Sequence, residues 1–234
     1  MKKLLVLAVA VLLVFAASSV FAQPSSKAGV AVTSLTLIDA TSETHSFDPV
    51  LTTTIKTPNQ KDLLIGVSLE TALYTLTQVK SKGGAKDSSN ATAGIDIKVV
   101  IDEGTPDEQM AKPGVVTFDE RSQTLSAELG GVIESCTLSV DPETGDGTLD
   151  IAEDCLVTDE MIELILQTMS AHHFNFIVAN LTPGVHTVTV KAEINSSTDS
   201  TNGTANAWAN IGQGTLSIEE IRATNAPEGV IILE

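Results

Sequence analysis

The sequence predicts an all-β protein built as an antiparallel β-sandwich, of either the immunoglobulin-like or the jelly-roll type. Aromatic residues make up only 3% of the 234 residues, whereas threonine, valine and isoleucine are frequent. Side chains branched at Cβ crowd a helix but fit the pleated, half-buried surface of a sheet. Turn-forming residues also recur between about ten short segments of alternating apolar and polar residues, a spacing typical of two-sheet sandwiches.

Alternation of apolar and polar residues locates the strands. The clearest strands are predicted at these positions: 30–37, 50–56, 63–79, 95–101 and 185–194. Short strands at 115–118 and 124–129 are predicted to form a hairpin. Two stretches rich in Gly, Ser and Asn, 80–94 and 195–206, are predicted to be exposed loops because they offer little apolar surface to bury.

Residues 158–170 are predicted to form the one short helix. Their apolar residues follow helical spacing, at positions 161, 162, 164, 165, 166 and 169. Thr158 is suited to the N-cap, and three acidic residues, Asp159, Glu160 and Glu163, oppose the positive end of the helix dipole.

The first 22 residues have the pattern of a secretory signal peptide. Lys2 and Lys3 precede the apolar run 4–17, and small or aliphatic residues lead to Ala22. The run is shorter than the roughly 20 apolar residues that a bilayer span needs, which favours cleavage after Ala22 over an uncleaved anchor. We therefore expect a secreted protein, extracellular or periplasmic, whose mature chain begins at Gln23.

Beyond the signal peptide, 23–29 is predicted to be a flexible leader and 30–234 a single domain. Loss of Lys2 and Lys3 moves the formal charge from −17 to −19. Such an acidic protein repels both nucleic acid and anionic lipid headgroups, so we expect neither partner. No later apolar segment is long enough to span a bilayer, so we also expect no membrane anchor after cleavage.

Cys136 and Cys155, the two cysteines of the chain, are predicted to form a disulfide. Export places them where disulfides persist. They bracket two strand-like segments, 137–140 and 148–151, around a Gly-rich turn, and a hairpin would bring the two sulfurs together. Neither cysteine has the spacing of a metal-binding or redox pair.

The segment 141–150, DPETGDGTLD, is the most ligand-like part of the chain. With Asp146 at position 5 of an EF-hand-type loop, the following glycine falls at position 6 and Asp150 at position 9. Asp141 and Glu143 are then one residue out of register. A calcium site formed by these four carboxylates is one hypothesis, and an acidic hairpin turn is the other.

The sequence contains no recognisable catalytic motif. Its four histidines are His45, His172, His173 and His186, and adjacent histidines on a strand point to opposite faces. No G-x-S-x-G or comparable nucleophile context occurs. Because a Ser-His-Asp triad is defined by geometry and not by spacing, a secreted hydrolase remains an alternative.

These observations favour a non-enzymatic β-sandwich that acts as a structural or interaction module at or outside the cell surface. Its partner would be another protein or further copies of itself. In one version, the apolar segment 229–233 or the leader adds to an open sheet edge of a neighbour. A calcium-stabilised extracellular binding domain is the second hypothesis.

Overall fold

Antiparallel strands dominate the structure, a computed structural model that describes residues 28–33, 46–221, 223–225 and 231–233. The predicted signal peptide lies outside the described residues, as does the predicted leader except for Ala28 and Gly29. The one helix among the described residues is the single turn α1 (Ile151–Asp154). The strands are β1 (Ala28–Thr33), β2 (Asp48–Thr57), β3 (Lys61–Ser81), β4 (Ala85–Ile101), β5 (Gln109–Met110), β6 (Val116–Leu129), β7 (Val132–Cys136), β8 (Ser139–Val140), β9 (Gly147–Thr148), β10 (Cys155–Thr158), β11 (Glu160–Leu181), β12 (Gly184–Ser200), β13 (Thr204–Ile221), β14 (Ala223–Asn225) and β15 (Ile231–Leu233).

Two sheets pack face to face. Sheet I has the order β1-β13-β3-β11, and sheet II has the order β2-β12-β4, with β6 and the short β5 both paired to the far side of β4. The pairs are nested along the chain: β1 with β13, β2 with β12, β3 with β11 and β4 with β6. This rolled, nested order is that of a jelly roll and differs from the ABED and CFG sheets of an immunoglobulin domain. The predicted antiparallel sandwich is confirmed.

The core fills the space between the two sheets. Alternate residues of the central strands point inward and are fully buried, as at Ile65 and Val67 of β3 and Ile95 and Ile97 of β4. Phe176 of β11 is the largest fully buried side chain. Burial of one such apolar side chain contributes about 1.5–3 kcal/mol, so the alternation fixes the register of each strand.

The predicted helix at 158–170 is wrong. These residues form the end of β10 and the first half of β11, which pairs with β3 from Glu160 onward. The apolar residues that suggested a helical stripe lie instead on both faces of a strand that is exposed on both faces. A strand with apolar residues on both faces does not alternate between apolar and polar residues, so the pattern did not indicate a strand.

Two predicted loops are also wrong in most of their length. β4 begins at Ala85, and β12 continues to Ser200, so only 82–84 and 201–203 form turns. The polar residues of these strand ends are partly buried and hydrogen-bonded, as at Ser89, whose hydroxyl donates to the Thr204 carbonyl at 2.9 Å. The predicted hairpin at 115–118 and 124–129 is one continuous strand, β6.

Asp87 joins the two turns at this end of the sandwich. Its buried carboxylate accepts backbone N–H bonds from Lys80 at 2.7 Å, Ser88 at 2.8 Å and Asn202 at 3.0 Å. Burial raises the pKa of Asp87, but the three backbone donors outweigh it and hold this pKa below its usual value. The ionised carboxylate therefore stabilises the fold.

We predict that Asp87→Ala destabilises the protein by at least about 2 kcal/mol at neutral pH, because it leaves backbone donors without their acceptor. A depressed pKa gives stability that is present above the unfolded-state value of about 3.9 and lost as the pH falls through the folded value. The difference between variant and wild type should therefore narrow below about pH 4.

Urea denaturation at several pH values measures this difference. Asp199→Ala is the control, because Asp199 is exposed at the same end of the sandwich and its loss removes the same charge. Equal stability of the two variants at neutral pH would contradict the assigned role of Asp87.

Candidate interaction surface

The first half of β11 exposes apolar side chains on both faces. On the outer face of sheet I, away from sheet II, Met169 is 76% exposed and Ile165 is 51% exposed. On the inner face, Leu164 and Leu166 are each 41% exposed, although Phe176 further along the same face is fully buried. Met161 and Ile162 are exposed as well. A cluster of exposed apolar side chains marks a contact site in many proteins.

The backbone of the same segment is an open edge. β11 pairs with β3 on one side, and on the other side Ile177 exchanges backbone hydrogen bonds with Lys112 at 2.8 and 3.0 Å. In an antiparallel ladder, the N–H and C=O of one residue point the same way, and this direction alternates along the strand. Odd-numbered residues from Met161 to Asn175 therefore direct both groups away from β3. No strand within the described ranges pairs with them there.

A buried polar network holds this edge in place. The Gln123 side chain of β6 accepts from the Thr75 hydroxyl at 2.7 Å and donates to the Thr77 hydroxyl at 2.6 Å and to the Leu164 carbonyl at 2.9 Å. Gln123, Thr75 and Thr77 are all buried, so these bonds are protected from water. The network ties β6 of sheet II to β3 and β11 of sheet I.

The three described histidines do not form a Ser-His-carboxylate relay, in which serine and carboxylate contact different ring nitrogens. At His172, the Ser170 hydroxyl at 2.8 Å and the Asp119 carboxylate at 3.3 Å both contact Nε2. His173 contacts the Ser68 hydroxyl through Nδ1 and the Asn175 side chain through Nε2.

His186 is buried and lies between a carboxylate and a backbone carbonyl. Its Nδ1 lies 2.6 Å from the Asp102 carboxylate, and its Nε2 lies 2.8 Å from the Thr182 carbonyl. No serine contacts it among these bonds. The geometry of these histidines gives the hydrolase alternative no support, and His45 lies outside the described residues.

Tyr74 and Trp208 stack on the outer face of sheet I. They are cross-strand partners on β3 and β13, with ring centroids 5.2 Å apart and planes within 7°. Gln167 of β11 is the partner of Tyr74 on its other side. Sequence reasoning missed this pair, because the two residues become neighbours only through the register of strands that are distant in the chain.

The predicted disulfide between Cys136 and Cys155 is confirmed. The two cysteines are register partners in the small sheet formed by β7 and β10, and the predicted hairpin inside the bridge is the pair β8 and β9. We call residues 130–159, between β6 and β11, the insert. It exposes further apolar side chains: Val132, Ile133, Leu138, Val140, Leu149, Ile151 and Leu156.

The four residues proposed to bind calcium lie in the exposed hairpin of the insert. The Asp141 carboxylate accepts the backbone N–H groups of Glu143 at 2.8 Å and Thr144 at 3.4 Å, and these bonds lower its pKa. Asp150 and Asp146 follow in the same exposed segment. Across the described part of the chain, no group of three or more His, Cys, Asp or Glu side chains is arranged to hold a metal ion. The calcium site stays a prediction from sequence.

Comparison with known proteins finds no matching family model, no matching curated protein and no matching solved structure. Within the described ranges, no helix has the length and apolar character needed to cross a membrane.

Asp154 organises the insert. Its carboxylate accepts the backbone N–H of Asp150 at 2.8 Å and the hydroxyl of Ser139 at 2.5 Å, and these two bonds, the first above all, lower its pKa. We predict that Asp154→Ala speeds protease cleavage within 137–154 several-fold while leaving the melting temperature of the sandwich nearly unchanged, since the insert is mostly exposed.

Limited proteolysis with mass mapping checks this, with Glu153→Ala as the control for loss of a neighbouring negative charge. The stabilising effect of Asp154 should also disappear as the pH falls through its lowered pKa. A large drop in melting temperature, or unchanged cleavage, would show that the insert is not organised in this way.

Proposed function

We propose that the protein is a secreted structural or interaction module that works through protein–protein contact at the open edge of sheet I. The observation that carries this proposal is the first half of β11, an edge strand with unpaired backbone groups and apolar side chains on both faces. Pairing with another strand would satisfy the backbone groups and bring the side chains on each face into contact with those of the added strand.

The two edges of sheet II differ from β11 in ways that limit pairing. β2 carries Pro49 and a register shift opposite Val190 and Lys191. β6 carries Glu120 and Arg121 in the middle of its length. Proline, bulges and charge are among the devices by which proteins prevent edge association. Between 160 and 175, β11 has no proline, no lysine and no register shift.

Secretion is part of the proposal. The signal pattern of residues 1–22 supports it, and the Cys136–Cys155 disulfide is compatible with an oxidising compartment. Outside the cell, a protein with exposed apolar surface on both β11 and the insert must remain soluble until it meets its partner. The formal charge of −17 for the full chain becomes −19 once Lys2 and Lys3 are removed, and it supplies mutual repulsion that serves this purpose.

This balance predicts that self-association strengthens with salt. Raising NaCl from about 20 mM to about 300 mM shortens the screening length severalfold and weakens the repulsion between copies, while the apolar contact is kept. Sedimentation analysis of the exported chain should show a larger oligomer fraction at high salt. Sucrose of equal osmolality is the control, because it leaves the charges unscreened.

A chain that stays monomeric at every salt concentration, and that cross-links to no other protein of the exported fraction, would contradict the proposed function. A chain that binds a different protein and does not self-associate would keep the function and exclude self-assembly.

A further inference from the structure

The segment 161–169 of β11, MIELILQTM, has nearly the same residue classes in both directions about Ile165. If this strand pairs with a second copy of itself, antiparallel and with a two-fold axis at Ile165, every residue except Ile162 and Thr168 meets one of its own class. The pairs are Met161 with Met169, Leu164 with Leu166, Glu163 with Gln167, Ile162 with Thr168, and Ile165 with itself.

The direction of the backbone groups permits this pairing. Ile177 directs its N–H and C=O away from β3, and no register shift separates it from Ile165, so Ile165 directs both groups outward as well. Two copies of Ile165 can then exchange a reciprocal pair of hydrogen bonds. Pairing centred here extends from Glu160 to Ser170, so it does not compete with the Lys112 contact at Ile177.

The register centred on Ile165 places polar residues opposite both acidic residues of the segment. The acidic residues of 160–170 are Glu160 and Glu163, and lysine and arginine are absent from the segment. In the register centred on Ile165, Glu163 meets Gln167 and Glu160 meets Ser170. A two-fold axis at Leu164 would place Glu163 opposite Ile165, and an axis at Leu166 would place it opposite Met169. An axis at Glu163 would place the two copies of Glu163 opposite each other, which is destabilising.

We infer that the partner of this edge is a second copy of the chain, joined through a two-fold β11–β11 pairing centred on Ile165. This inference rests on the proposed function and names its partner. The two copies of sheet I then form one continuous eight-stranded sheet, because each contributes the order β1-β13-β3-β11. The interface is isologous, so it closes as a dimer.

Cysteine cross-linking tests the register. Directly opposed residues of a hydrogen-bonded antiparallel pair have Cα atoms about 5.5 Å apart, within the range that a disulfide spans. An oxidised mixture of Met161→Cys and Met169→Cys chains should form a mixed disulfide dimer, and each variant alone should form little. Ile165→Cys should cross-link by itself. Val32→Cys, on the opposite edge of sheet I and 73% exposed, is the control.

A substitution at the axis tests the contact itself. Ile165→Lys places two lysines together at the centre of the dimer and should raise the dimer Kd at least about ten-fold, whereas Val32→Lys should leave it unchanged. Because Ile165 is half exposed, the melting temperature of the dilute monomer should stay close to that of the wild type.

The outcomes separate the two proposals. The two-fold pairing would be overturned, and the proposed function left standing, if the Ile165→Lys variant dimerised as strongly as the wild type. The same would follow if Met161→Cys chains alone cross-linked as well as the mixture. A wild-type chain that binds only a different protein would also overturn the pairing. A chain that binds neither itself nor any other protein would contradict both the two-fold pairing and the proposed function. Cross-linking only in the mixture, with loss of dimer in Ile165→Lys, supports the pairing.

Discussion

The pairing of β11 with β3, from Glu160 to Leu181, determines most of what is distinctive in this protein. β3 is the central strand of sheet I, with β13 on one side and β11 on the other. By pairing with β3, the segment 160–170 becomes a strand in spite of its helical spacing of apolar residues. The same pairing fixes which backbone groups point outward and which side chains lie on each face. In the second half of β11 the inner face joins the core, as at Phe176, whereas in the first half Leu164 and Leu166 on the same face remain 41% exposed.

The sequence allowed the fold class to be predicted because the core strands alternate cleanly. Ile95, Ile97 and Val99 of β4 face the core in turn, and such alternation is a local signal that needs no knowledge of the partner strand. The disulfide was predictable for a similar reason, since both cysteines and the turn between them lie in one short segment. Where the partner was distant in the chain, local reasoning failed.

The predicted loops and the predicted helix were wrong for a common physical reason. The polar ends of β4 and β12 resemble loops in composition, but these two strand ends pair with each other. Polar side chains at the same end also satisfy backbone groups, as Asp87 does by accepting bonds from three backbone N–H donors. The first half of β11 resembles a helix because its apolar residues occupy both odd and even positions, with helical spacing. In both cases tertiary pairing overrides local propensity, and the candidate surface therefore could not be found from the sequence. The Tyr74–Trp208 stack was missed for the same reason.

The negative charge of the chain and the open apolar edge at β11 have opposing effects on association. The negative charge makes copies repel one another, whereas covering the open edge lowers the free energy. The insert adds exposed apolar side chains next to the start of this edge, and its own fold is maintained by the disulfide and by Asp154. The exposed apolar side chains of β11 and of the insert are the surface on which the proposed interaction role rests.

Hydrogen exchange measured at single amides of β11 tests the account most directly. In dilute solution, the amides of residues 161, 163, 165, 167 and 169 should exchange quickly, because they point away from β3, and those of 162, 164, 166 and 168 should be protected. At concentrations where the chain associates, the first set should become protected too. Uniform protection in dilute solution, or odd-numbered amides that stay unprotected in the associated state, would contradict the open edge and its role.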